Sequence, residues 1–99
     1  MARFDVFRSA DGNGYLLDCQ ANVLSDLNTR FCIPLQNPDV APVAGRRLNP
    51  EFEVEGKPVR MVTQFAAAVP VRELGPRIAN LDAHHATIRN ALDMLLTGY

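Results

Sequence analysis

A mainly β chain closed by one C-terminal α-helix is the fold class this sequence predicts. Three observations carry that reading. Short runs with period-two alternation fill the first two-thirds of the 99 residues. Turn-forming Gly, Asn, Asp and Pro clusters separate them, and only beyond Asp82 does the apolar spacing become helical.

The first strand has Phe4 and Val6 alternating with Asp5. It ends in Ser9-Ala10-Asp11-Gly12-Asn13-Gly14, whose glycines and Asx residues suit the positive backbone angles of a tight reversal. In the second strand Tyr15, Leu17 and Cys19 share one face while Asp18 and Gln20 point the other way, so the two strands form a hairpin. Val23 to Asn28 lacks a clean period and reads as a bridging turn. Arg30 to Leu35 is a third strand, in which Pro34 cannot donate to a ladder and belongs at an edge, a strand end or a bulge.

Gln36 to Arg47, with Pro38, Pro42 and Gly45, reads as an exposed loop. Phe52 and Val54 alternate with Glu51, Glu53 and Glu55, the pattern of a half-buried strand. Gly56-Lys57 turns the chain into a strand over Val59 to Phe65, with Val59, Met61, Thr63 and Phe65 expected on one face. Ala66 to Val71 is apolar but interrupted by Pro70, hence a strand end or connector, and Pro76 blocks a long helix. Asp82 is the expected N-cap of a helix from Ala83 to Leu96. Along it Ile88, Ala91, Leu92 and Leu95 recur at i, i+3, i+4 and i+7, with Gly98 at the C-terminal glycine position.

A chain of this length holds one domain, residues 1–99. Its hydrophobic share of 47% and charged share of 21% are those of a folded chain rather than a disordered one. Ten basic against eleven acidic side chains leave a formal charge of −1. Direct, sequence-specific nucleic-acid binding is therefore not expected, because phosphate contacts demand a basic excess. The start Met1-Ala2-Arg3-Phe4-Asp5 has no apolar run of signal-peptide length and no segment reaches a membrane span. A cytoplasmic location with no membrane partner is expected, with Cys19 and Cys32 reduced. Two cysteines without companion ligands do not make a zinc site, so they read as small core residues, and no cofactor is expected.

His84 and His85, adjacent on a helix, point about 100° apart and cannot chelate one metal as an i, i+4 pair does; they read as solvated first-turn residues. Asp18, Asp26 and Asp39 read as surface or turn carboxylates, and Arg46-Arg47 as a solvated loop. Met94, Leu95 and Leu96 are more informative. Three consecutive apolar residues spread over about 200° of a helix and cannot all face one small core. Part of that surface calls for a partner.

Several segments, in order and spacing, resemble the CcdB family of bacterial toxins. Cys32-Ile33-Pro34-Leu35 is similar to that family's Val-Ile-Pro-Leu, and Arg47-Leu48-Asn49-Pro50 to its Glu-Leu-Tyr-Pro. The firmest stretch follows: Arg60-Met61-Val62-Thr63, Ala68-Val69-Pro70-Val71, Asn80-Leu81-Asp82, Ile88-Arg89-Asn90-Ala91-Leu92 and Gly98. The resemblance covers almost the whole chain; the ordered set, rather than any one piece, is specific. It implies a small Src-homology-3-like antiparallel barrel of the CcdB/MazF toxin type with a C-terminal helix, assembled as a homodimer. It further implies a toxin that is not an enzyme, that enters the DNA gyrase A subunits and traps cleaved DNA, and that a CcdA-like antitoxin neutralises through a tail that folds on contact.

By the same resemblance the gyrase contact falls on Thr97, Gly98 and Tyr99, on the preceding helix positions Asp93 and Leu96, and on the apolar pair Val23 and Leu24. Where the family has tryptophan this chain has Thr97, which cannot stack on a target arginine; Tyr99 offers a ring two positions on. The loops Asp11–Gly14 and Asn37–Arg46 are the exposed candidates for antitoxin contact. Two other readings stay open on the same fold: an endoribonuclease of the MazF or Kid type, with Arg46, Arg47, His84 and His85 as its conspicuous groups, and a homologue that has lost toxicity.

Overall fold

The computed structural model describes residues 2–10, 12 and 14–98, so Met1, Asp11, Asn13 and Tyr99 lie outside the described residues. Two members of the expected Ser9–Gly14 turn, Asp11 and Asn13, therefore fall outside it. The described chain forms β1 (Asp5–Ser9), β2 (Tyr15–Asp18), β3 (Thr29–Gln36), β4 (Glu51–Val54), β5 (Lys57–Met61), β6 (Ala67–Pro70), β7 (Leu74–Asn80) and α1 (His85–Thr97). All strand pairings are antiparallel, in the order β4-β5-β3-β2-β1-β7, with β6 also paired to β3. The result is a curled half-barrel with a single C-terminal helix, the architecture that the alternation and the late change of period predict.

Register explains the core. Val6 lies opposite Leu17 and Leu17 opposite Ile33, so one line of branched side chains crosses three strands. Leu35 and Met61 extend that face, and α1 closes it with Ile88 and Ala91, all fully buried. Burial of the larger of these, Leu35, Met61 and Ile88, contributes about 1.5–3 kcal/mol each relative to exposure. The curl is fastened at the surface. Glu55, in the β4–β5 turn, accepts hydrogen bonds from Arg8 Nη2 on β1 (3.0 and 3.2 Å) and from the Tyr15 hydroxyl on β2 (3.0 Å). Since β3 lies between β5 and β2 in the sheet, this clasp requires the sheet to fold over itself.

Pro34 sits inside the eight-residue β3 rather than at its end. Its position is still a gap in the ladder: on that edge β3 pairs with β6 from Thr29 to Cys32 and with β5 only from Leu35. A residue without an N–H fits the interval where the partner changes.

Four expectations need correction, and one strand was not foreseen. Asp18 is not a surface carboxylate; it is fully buried, and its Oδ2 accepts a 2.7 Å bond from Nε of the equally buried Arg30. The strand over Val59 to Phe65 stops at Met61 and continues as a 3₁₀ turn, Thr63–Phe65, that buries Thr63 and leaves Phe65 52% exposed. Thr63 is held by its hydroxyl, which donates to the Leu48 carbonyl at 2.5 Å. Ala67–Pro70 is a true strand, because its proline lies at the end where no donor is needed.

Asp82 is not a side-chain N-cap. The chain enters α1 through a 3₁₀ turn, Asp82–His84, so the helix starts at His85; Asn80 Oδ1 instead accepts the Asp82 N–H at 2.8 Å. Finally, β7 went unread because Gly75 and Pro76 disguise it. Gly75 is required there, since a Cβ at this position would collide with the Arg8 carbonyl oxygen across the β1–β7 pair.

Candidate functional site: the helix end and the 22–27 turn

The buried stripe of α1 is Ile88 and Ala91, with Leu92 packed against the core at its flank. The neighbouring face carries Arg89, Asp93 and Leu96 at i, i+4 and i+7, which the helical repeat places in one row about 10 Å long. Leu96 is 74% exposed, Met94 40% and Leu95 39%. A helix end wholly sunk in its own core is thus excluded, as the three-residue apolar run predicts.

The helix ends cleanly. Gly98 adopts the left-handed conformation (φ +81°), and its N–H donates to the Met94 carbonyl at 3.0 Å. The Thr97 hydroxyl donates to the Asp93 carbonyl at 2.7 Å. Thr97 therefore spends its polar group on its own helix. On the other side, Arg47 Nη1 approaches the Met94 sulfur at 4.0 Å, so the end of the long loop lies against the helix end.

Val23 and Leu24 belong to a 3₁₀ turn, Asn22–Leu24, that buries no residue. Its shape is set by polar bonds, not by a core. Asn22 Oδ1 accepts the Arg3 N–H at 2.7 Å, while the Gln20 side chain donates to the Leu24 carbonyl and accepts the Phe31 N–H, both at 3.0 Å. A turn fixed this way holds Val23 (88% exposed), Leu24 (47%) and Leu27 (50%) toward solvent. Leu27 was missed in the sequence, although a leucine between Asp26 and Asn28 in a stretch without a period was the available sign.

A groove of about 520 Å³ lies at the start of α1, with Arg3, Asn22, Asn80, Asp82, His85 and Arg89 among the residues that line it. Asn22, the first residue of the turn, thus shares a groove with the first turns of the helix, at the start of the row that runs to Asp93 and Leu96. Among the described residues no hydrogen bond links Val23 or Leu24 to Leu96 or Thr97 within one chain. Tyr99, named with them from the sequence, lies outside the described residues.

The wall of the groove is built by Asn80. Its Nδ2 donates to the Arg3 carbonyl (3.2 Å) and to Asp5 Oδ1 (3.0 Å). Asp5, 2% exposed, is pushed up by burial, but hydrogen bonds from Asn80, Arg77 and the Ala2 amide, with the Arg77 charge, outweigh that and hold its carboxyl below the usual value.

A second cleft, about 580 Å³, lies between the β1–β2 hairpin and the long loop; Gly12 and Gly14 line it from one side, Asn37, Pro38 and Asp39 from the other. The loop is braced from within. Buried Asn49 accepts the Ala44 N–H (2.7 Å) and donates to the Met61 carbonyl (3.1 Å) and Gln64 Oε1 (2.7 Å). Arg60 reaches the Pro38 carbonyl at 2.9 Å and Glu51 at 2.8 Å. Val40 and Val43 nevertheless stay 76% and 58% exposed.

Two of the groups an endoribonuclease would call on, Arg47 and His84, lie apart. Arg47 lies at the Met94 end of α1, whereas His84 precedes the helix and packs its ring 5.1 Å from that of Phe52. Ten helical residues, about 15 Å, separate those ends. Among the described residues no group of three or more His, Cys, Asp or Glu side chains is placed to hold a metal ion, and no helix is long and apolar enough to cross a membrane. Both cysteines are buried free thiols; burial, aided by the nearby Asp18 carboxylate, pushes the Cys32 thiol up to about 12.

A family model described as CcdB protein matches residues 3–98. With the half-barrel, the terminal helix and nearly the whole chain in agreement, this protein belongs to the CcdB family, the toxin partner in toxin–antitoxin systems.

Proposed function

We propose that this chain acts as a homodimer that binds the A subunit of DNA gyrase and traps the enzyme on cleaved DNA, by binding alone and without chemistry of its own. The observation that carries the proposal is the exposed apolar surface of Val23, Leu24, Leu27 and Leu96, built on a polar-braced turn and a capped helix end. Exposed apolar side chains grouped on a turn and at a helix end mark places where another protein sits. Two chains related by a two-fold axis would cover part of it and present paired tips. Asp93 and Leu96 share the helix row that faces the target, and Gly98 ends the helix beside them. Thr97 contributes there through its methyl group and backbone, its hydroxyl being engaged.

Neutralisation belongs to the other cleft. The two exposed loops expected to meet an antitoxin line it together, and Val40 and Val43 supply apolar anchors for an extended tail that orders on binding. The cytoplasm, where gyrase works, is the corresponding location.

Supercoiled plasmid incubated with gyrase and this protein, then treated with detergent and protease, is expected to yield linear DNA. Unchanged plasmid at saturating protein overturns the proposal. Leu96→Asp is expected to abolish linearisation without lowering Tm, because Leu96 contributes little to its own core. Fragmentation of a long RNA by the same preparation would place the activity with the endoribonuclease toxins instead.

A further inference from the structure

The groove at the start of α1 has a chemistry that the apolar tip does not explain. Arg3 is held with one edge of its guanidinium free: Nε donates to the Cys19 carbonyl at 3.4 Å and the group stacks 4.7 Å over the Phe4 ring. No hydrogen bond or ion pair occupies its two terminal nitrogens among the described residues. Arg89, from the facing helix, is exposed and has no ion-pair partner among them either. Both line the same groove, with His85, whose Nδ1 lies 3.0 Å from the Asp82 carbonyl. Because a carbonyl only accepts, Nδ1 carries the proton and Nε2 remains available.

Two guanidinium forks lining one groove suit a carboxylate, whose two oxygens can each accept N–H bonds from them. Nucleic acid fits less well. Asp82 lines the groove, Asp93 follows Arg89 one turn along the same face, and the chain is net −1; a row of phosphates would meet those acids at once. We infer that the groove between Arg3 and Arg89 receives an acidic side chain of the protein the toxin binds, which orients the helix row so that Leu96 enters the target. This rests on the toxin reading above.

The test measures association with the purified gyrase A subunit by surface plasmon resonance, without DNA, at about 50 mM and 500 mM salt. Arg89→Glu is expected to slow association about tenfold at low salt, and the difference from wild type should largely vanish at high salt, as charge steering is screened. Arg89→Lys should recover most of the rate, and Arg3→Ala should show the same salt signature more weakly. Thermal melts verify that each variant folds. If wild type binds and Arg89→Glu binds with unchanged rate and salt dependence, the groove assignment is wrong. A defect seen only when DNA is present would also overturn it, pointing to phosphate. If wild type does not bind the subunit at all, the proposed function has failed, and that outcome is distinct from failure of the groove.

Discussion

Removing Asp18 should destabilise this protein far more than removing Asp18 and Arg30 together. Both side chains have no exposed surface, and one 2.7 Å bond joins them. Among the described residues Arg30 Nη1 and Nη2 are buried with no partner, so there the guanidinium has Asp18 alone as compensation. Truncating the acid alone leaves an unpaired buried cation, which costs about 3–5 kcal/mol. Replacing the pair by apolar residues of similar size removes that cation along with two unsatisfied groups worth about 1–3 kcal/mol each, so the double variant should be near neutral.

Asp18→Val and Arg30→Met, singly and together, make the comparison; Val suits a strand, and Met follows the shape of the arginine stem. Urea unfolding at fixed protein concentration is the assay, since a dimer's stability depends on concentration. For a domain of this size each kcal/mol moves Tm by about 4–8 °C, so Asp18→Val should melt at least about 12 °C below wild type. The Gln20 N–H, which donates to Asp18 Oδ1 at 3.0 Å, is the one contact the double variant forfeits. If the double variant is destabilised by the sum of the singles, the two residues are uncoupled, and the account of the buried pair is wrong.

The remaining predictions are narrower. Asp5 titrates below its usual 3.8 in the fold, so its contribution is fully present above that value and is lost as pH falls through the lower folded value. Asp5→Asn should flatten the stability curve below about pH 4, as read by acid denaturation. Gly75→Ala forces a Cβ onto the Arg8 carbonyl and should cost about 1–3 kcal/mol or more, measured as a lowered urea midpoint. Cys32, at about 12, and Cys19, whose thiol burial also pushes up, should stay unmodified by a thiol reagent at pH 8 until the protein is unfolded; rapid labelling of the native protein would contradict the burial.

Legibility followed locality. Alternation announced β1, β2, β4 and the start of β5; β1 and β2 bury consecutive residues, with Asp5 and Asp18 covered by ion pairs, whereas in β4 one face meets the core and the other does not. The period of α1 was visible for the same reason: Ile88 and Ala91 are the only fully buried positions of that helix. What failed was long-range. Asp18 looks like any polar residue facing outward, and only the return of β3 with Arg30 makes its face an interior. Gly75 is a breaker in sequence and a necessity in β7, where Arg8 passes close. Asn80 displaced Asp82 as the organiser of the helix entry, a choice made by the N-terminal segment it binds. At the site, the three-residue apolar run declared the helix end exposed, while the charged groove stayed hidden because Arg3 and Arg89 stand at opposite ends of the chain.

The helix end also bears on how target recognition works in a chain lacking the family's tryptophan. A ring there would supply a face for a cation, worth about 0.5–2 kcal/mol. Thr97 cannot replace it, and its hydroxyl is turned back onto Asp93. What projects instead is aliphatic: Leu96 at the helix end, and Val23, Leu24 and Leu27 on the 22–27 turn. Aliphatic surface gives affinity by area but little direction, so a tip of this kind needs orientation from elsewhere. The groove of Arg3 and Arg89 stands at the other end of the same helix row, about 10 Å from Leu96, and charge is the interaction that acts over that range before contact. Substituting Trp for Thr97 should therefore raise affinity for the gyrase subunit while weakening its dependence on Arg89. Equal dependence in both backgrounds would mean that groove and tip act independently.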